Sequence, residues 1–206
     1  MEERMFTNQK IQLFQNLLDE FSKFEFSFKT KPQTLMQVSG YPHFENVCSN
    51  ILSYLFTTDE SHGLSDLFSK SLLEAANVED SSSFESMMVE REVSTKKNNR
   101  IDLVLSNNFI VVGIENKLFS WVHNDLKDYE DTIRKIASEQ KRHILLIVLS
   151  LRNESIVSNL NGYVNVTYES LFQHVRRNLG SYLDAADNTW IIYLKDFMRT
   201  IESLQR

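Results

Sequence analysis

Apolar positions along the chain set the first expectations. Across residues 8–24, Ile11, Phe14, Leu17, Leu18, Phe21 and Phe24 recur at steps of three and four, which gathers them on one face of a helix. After breaks at Lys31-Pro32 and Gly40-Tyr41-Pro42, the same spacing returns in Phe44, Val47, Cys48, Ile51 and Leu55, with Glu45 beside the stripe. Residues 57–63 read as a polar turn, and Leu64, Leu67, Phe68, Ser71 and Leu72 carry a further helix to about Ala76. Ser81-Ser82-Ser83 closes this helical block.

The period then shortens to two. Residues 84–95 read as an extended segment, and Ile101, Leu103 and Leu105 alternate with Asp102 and Val104. Asn107-Asn108 supplies turn chemistry ahead of the apolar run Phe109 to Ile114, so a β-hairpin is expected. With a two-residue turn, Ser106 would pair with Phe109, which sets Asp102 opposite Gly113 and diagonal to Glu115. Leu126, Tyr129, Ile133, Ile136 and Ala137 mark a helix, and Ile144 to Leu149 is an unbroken apolar run suited to a strand covered on both faces. Val164, Val166 and Tyr168 suggest another short strand. A helix over residues 169–179, ended by Gly180, and a last helix carrying Trp190, Leu194, Phe197, Met198 and Ile201 complete the pattern.

Strand, strand, helix, strand implies a crossover connection. The expected fold class is therefore α/β, a central mixed β-sheet flanked by helices with an N-terminal helical block packed on it. At 206 residues and 24.1 kDa the chain suits one domain. Its expected parts are a mainly helical 1–80, a sheet core over 84–168 and C-terminal helices over 169–206. A hydrophobic content of 42% with 24% charged residues excludes disorder and fibrous repeats as explanations. The single Cys48 permits neither an internal disulfide nor a cysteine zinc cage and points to a reducing compartment, the cytoplasm. No apolar run approaches the roughly 18 residues that cross a bilayer, so no membrane association is expected.

Net charge is −6, which argues against nucleic-acid binding by overall attraction. Residues 91–142 form the only net-basic third and include Arg91, Lys96, Lys97 and Arg100, so an anionic partner fits best there.

Glu115 and Lys117, two apart on a strand, share a face that Ile114 and Asn116 do not. Asp102 on the partner strand belongs to that face, and Gly113 would leave space beside it. Two carboxylates held together repel unless a cation compensates. Hard oxygen ligands suit Mg²⁺, or Mn²⁺, which can turn a water into a nucleophile. Lys117 could orient that water or stabilise charge on a phosphate. The combination suits phosphodiester hydrolysis.

Asp102 followed by Glu115-Asn116-Lys117 on the next strand resembles the motif of the PD-(D/E)xK nuclease superfamily, with its restriction-endonuclease-like fold. The element order agrees over roughly residues 44–168, and Glu45 matches the acid of that family's N-terminal helix. The wording Ile114-Glu115-Asn116-Lys117 is similar to small bacterial members associated with defence against phage or mobile DNA. The resemblance implies a metal-dependent nuclease with nucleic acid, foremost DNA, as substrate. It also implies metal binding by Asp102 and Glu115, joined by the Asn116 backbone carbonyl, a catalytic role for Lys117, and a second ion at Glu45. A homodimer or partner subunit is compatible with it, and the alternative is a non-catalytic binding or assembly subunit on the same fold. Ile101 stands where the family name has proline, and Asp125 stands where many members carry Gln four residues before the Tyr matched by Tyr129. Asp125 would then add charge near the metal, alter phosphate binding or face solvent.

Plainer readings stand beside these. Acid-x-Lys also occurs at Asp125-Leu126-Lys127 and Glu139-Gln140-Lys141, in helical context. Glu115 could be a strand-end ion pair with Arg100 opposite. Glu45 suits a helix first turn through the helix dipole alone. His62 reads as an ordinary turn residue before a substrate contact, Tyr129 as helix core, and Lys96 and Lys97 as a solvated loop or a backbone contact. With five scattered glycines and no Gly-x-Ser-x-Gly, nucleotide-loop and acyl-transfer chemistry are not indicated, and Cys48 reads as core.

Overall fold

The computed structural model describes residues 15–16, 32–41, 43–78, 86–119, 125–152 and 162–205. The chain divides into two units, Met1–Gln33 and Thr34–Arg206, and the fold below is that of the second. The amphipathic helix expected over residues 8–24 lies outside the described residues except for Gln15 and Asn16, which are helical.

Three helices come first: α1 (Leu35–Val38), α2 (Glu45–Phe56) and α3 (Leu67–Ala75). Thr34 and Gln37 close a reciprocal capping box on α1. The sheet follows with β1 (Met88–Ser94), β2 (Arg100–Ser106) and β3 (Ile110–Lys117); α4 (Leu126–Ser138) crosses over to β4 (His143–Ser150), and β5 (Tyr163–Thr167) lies beyond it. Helices α5 (Tyr168–Asn178) and α6 (Asn188–Ser203) end the fold. Rather than stopping at Gly180, the chain leaves α5 through a 3₁₀ turn, Leu179–Tyr182.

Strand order is β1-β2-β3-β4-β5, antiparallel across the first three and parallel across the last three, a five-stranded mixed sheet. The expected α/β class, with a sheet flanked by helices, is what the structure has. β4 lies between two parallel neighbours, as its unbroken apolar run requires.

The two sheet faces build separate cores. Leu103, Leu105, Val112, Ile114, Ile147 and Leu149 pack with α2, α3, α5 and α6 residues such as Leu52, Phe68, Phe172 and Phe197. On the other face Val104, Val111 and Leu146 meet Leu126, Tyr129, Ile133 and Ala137 of α4. Gly113 lies under that helix: a Cβ there would come within 2.8 Å of the Ile133 side chain. The space expected beside the acids at Gly113 is therefore filled by Ile133.

The hairpin register differs from the expected one. Ser106 pairs with Val111, not Phe109, and Gly113 faces Val104, not Asp102. Asn107 explains the shift, because its side-chain oxygen accepts the amides of Phe109 and Ile110 and its own amide donates to the Ile110 carbonyl, which widens the turn to four residues. A slip of two residues preserves side-chain parity, so Glu115 and Lys117 keep their shared face, but alternation on β2 breaks below Leu103: Ile101 packs against α4 while Leu103 and Leu105 pack on the opposite face.

Candidate functional site

The β2–β3 pairing runs from Ser106↔Val111 to Leu103↔Ile114. Continued by one residue, it sets Asp102 level with Glu115. There the Asn116 amide donates to Asp102 Oδ2 at 2.7 Å, so a side-chain carboxylate takes the place of a ladder carbonyl. Both strands carry on, β2 back to Arg100 and β3 out to Lys117, and the charged residues occupy the open end.

On β3 the alternation separates two functions. Glu115 and Lys117 share one face, with Lys117 Nζ 2.7 Å from Glu115 Oε1. Asn116 turns to the other and is fully buried. Its Oδ1 accepts the Tyr168 hydroxyl at 2.7 Å, while its Nδ2 donates to Ser49 Oγ at 2.9 Å and to the Glu45 carbonyl at 3.3 Å. One side chain thus ties β3 to the start of α5 and the first two turns of α2.

Glu45 opens α2 as its first residue, where the helix dipole favours an acid. Its carboxylate reaches further: Oε1 accepts the amides of Leu118 at 2.9 Å and Phe119 at 3.4 Å, and Oε2 lies 3.8 Å from Lys117 Nζ. Glu45, Asp102, Glu115 and Lys117 are thereby linked through β3 and the residues just after it.

Electrostatics follow from burial. Burial lifts the Asp102 carboxyl above its ordinary value; the Asn116 amide and Lys117 oppose the shift, and Glu92 and Glu45 reinforce it. For Lys117 burial acts downward, yet Glu115, Glu45 and Asp102 together outweigh it and hold the ammonium above the usual lysine range. Tyr168 is pushed far up, chiefly by burial, and so stays a hydroxyl donor to Asn116.

The plainer alternative, a strand-end pair between Arg100 and Glu115, is not what the structure has. Arg100 instead approaches Glu92 at 3.6 Å, while Glu115 holds Lys117. Glu92 sits at φ +53°, outside ordinary strand geometry, and interrupts the β1–β2 pairing beside Asp102.

Other candidates resolve into structural parts. His62 is no surface turn residue but fully buried: Nδ1 accepts the Leu64 amide at 2.8 Å, leaving Nε2 to donate to the Thr57 carbonyl at 2.9 Å. Tyr129 is helix core as expected, with its hydroxyl donating to the Arg100 carbonyl at 2.7 Å. Asp125 caps α4 through the Asp128 amide and pairs with Lys97. Cys48 lies in the core, where burial pushes its thiol up to about 12. Three buried partners had no signal in the sequence: Tyr168, Ser49 and Asp128, the last of which accepts from Thr95 and Asn99 and ties the β1–β2 turn to α4. Only contacts across long sequence separations reveal them.

Among the described residues, no group of three or more His, Cys, Asp or Glu side chains is placed to hold a metal ion. The available set is smaller, Asp102 and Glu115 at the hairpin opening. Hard oxygens from one or two carboxylates, completed by water, are what Mg²⁺ takes. The donor chemistry therefore fits a hydrated divalent ion.

Against known sequences, the family model of the PD-(D/E)XK nuclease superfamily matches residues 37–199. The chain belongs to this superfamily. The match takes in α2, the whole sheet and most of α6, including Glu45, Asp102, Glu115, Asn116 and Lys117. Comparison with curated proteins and with solved structures returns no match. Within the PD-(D/E)XK fold, the chain's departures also have physical accounts. Ile101 is 1% exposed and packs in the α4 core, and Asp125 serves as a helix cap.

Proposed function

We propose that the protein is a metal-dependent nuclease hydrolysing phosphodiester bonds, with DNA as its target, and that Asp102, Glu115, Lys117 and Glu45 form its catalytic centre. The observation that carries this reading is the opening of the β2–β3 ladder at the point where Asp102 comes level with Glu115, whose carboxylate holds Lys117 two residues on. Asp102 and Glu115 would hold Mg²⁺ or Mn²⁺, joined by the Asn116 carbonyl, with Glu45 serving a second ion. The ion, when bound, supplies Lewis acidity and neutralises phosphate charge. Lys117, the cation next to both Glu115 and Glu45, would donate to phosphate oxygens as negative charge builds on them. Hydrolysis breaks the bond from phosphorus to the leaving oxygen, water adding a hydroxyl to phosphorus and a proton to the departing group. Defence against phage or mobile DNA is the setting that the resemblance to small bacterial members suggests.

Incubation with linear, circular and single-stranded DNA in Mg²⁺, Mn²⁺ or EDTA tests this reading, using the parent chain, Glu115→Ala and Lys117→Ala. Cleavage dependent on metal and lost in both variants is expected, and cleavage that ignores both substitutions rejects the site. A second reading, a non-catalytic binding or assembly subunit, is favoured by one observation: Glu115 is already compensated by Lys117 at 2.7 Å. Calorimetry separates the two, because the subunit reading predicts no uptake of Mg²⁺ or Mn²⁺ that depends on Asp102 and Glu115.

A further inference from the structure

Four aromatic side chains stand at the rim of this site. Tyr41 and Phe44 meet edge to face with centroids 5.1 Å apart, His43 lies 5.5 Å from Phe44, and His43 and Phe119 are 6.3 Å apart. They come from two separate segments, yet they leave much of their surface in water: Tyr41 is 52% exposed, Phe44 46% and Phe119 59%. Exposed rings gathered from distant parts of a chain call for a ligand more than scattered surface apolar residues do.

Their position names that ligand. Phe44 directly precedes Glu45, and the Phe119 amide donates to Glu45 Oε1, with Phe119 two residues past Lys117. A phosphodiester at Lys117 therefore carries its neighbouring nucleotides past these rings. A paired, stacked duplex hides its base faces, whereas an unpaired strand offers one face per nucleotide. Charge points the same way. With a net charge of −6 the chain as a whole repels a polyanion, so contacts that do not depend on charge add to what the net-basic segment 91–142 supplies.

We propose that Tyr41, His43, Phe44 and Phe119 form a base-stacking platform and that the protein acts on single-stranded DNA. This inference rests on the nuclease reading above and deepens it by naming the form of the substrate. Stacking on a protein ring is worth about tenfold or more in affinity per base. It is nearly insensitive to sequence, so the platform supplies grip without base readout.

The test compares a fluorescent deoxyoligonucleotide, the same strand in a blunt duplex, and a strand of equal length with abasic positions. Binding is followed by anisotropy in EDTA, and cleavage in Mg²⁺ or Mn²⁺. Expected are tighter binding and faster cleavage of the single strand than of the duplex, with a shallow salt slope and weakened binding of the abasic strand. Phe119→Ala should raise KM for the single strand about tenfold with kcat nearly unchanged, Phe119→Tyr should restore it, and Phe119→Leu should not. Tyr41→Ala provides a second exposed position with the same expectation, and melting curves confirm folding. Preference for the duplex, equal binding of abasic and intact strands, or a KM indifferent to the ring at Phe119 and Tyr41 overturns this inference while leaving the nuclease reading intact. Absence of any cleavage by the parent chain overturns the nuclease reading itself, and the inference with it.

Discussion

Near its turn, the β2–β3 hairpin is an apolar ladder from Ser106↔Val111 to Leu103↔Ile114, pressed under α4 at Gly113; at its far end, Asp102 meets the Asn116 amide with a side chain, and charge replaces packing. The same two strands thus carry a stabilising half and an expensive half. The open end has compensations: Asn116 is satisfied by Tyr168, Ser49 and Glu45, and Glu115 by Lys117. At the proposed centre, backbone pairing is given up and side-chain networks restore the lost polar contacts.

The strongest way to break the contrast is Lys117→Met. It leaves the Glu115 side chain, 1% exposed, without its ammonium and should cost about 3 kcal/mol in urea unfolding, along with cleavage. The double variant Glu115→Leu/Lys117→Met should regain most of that stability while remaining inactive. If the double variant is as unstable as the single, the open end is not the expensive half.

At the laddered end Gly113→Ala should destabilise by about 2 kcal/mol, since its Cβ would meet the β-branched Ile133 at 2.8 Å. Activity per folded molecule should fall little. A large loss of activity at full stability would show that the two halves are not separable.

Tyr168→Phe removes the donor to Asn116 Oδ1 and should cost about 1 kcal/mol. Because Asn116 also donates its amide to Asp102, cleavage should weaken as well, and a melting curve with a rate measurement checks both.

The smallest effect concerns pH. Asp102 has a folded pKa above its unfolded value of 3.8, so the folded state binds its proton more readily between the two. Its ionisation therefore weakens folding as pH rises through the folded value, and this penalty disappears below the unfolded one. In EDTA, Asp102→Asn should be more stable relative to the parent at pH 7 than at pH 4, by urea unfolding at both. A gap that widens on acidification would contradict the sign.

The sheet elements were legible because β2, β3 and β4 announce themselves by alternation or unbroken apolar runs, and the shared face of Glu115 and Lys117 needs only the strand period. The register was less legible. A two-residue turn at Asn107-Asn108 is a sound local expectation, but the Asn107 side chain captures two amides and lengthens the loop. His62 departs from the local expectation, since a polar turn normally faces water. Here its ring satisfies Thr57 and Leu64 from inside the core.

Element types, the shared face of Glu115 and Lys117 and the family follow from period and residue chemistry, which are local properties, whereas Ile101 leaves the face its alternation predicts and packs with α4. Tertiary structure decided which groups meet: Glu45 with the amides after Lys117, Asn116 with Tyr168 and Ser49, and four rings at the rim. These partners lie far apart along the chain, and no local period encodes them. They come together only when the helices bury their apolar faces on the sheet and the remaining polar groups must find one another.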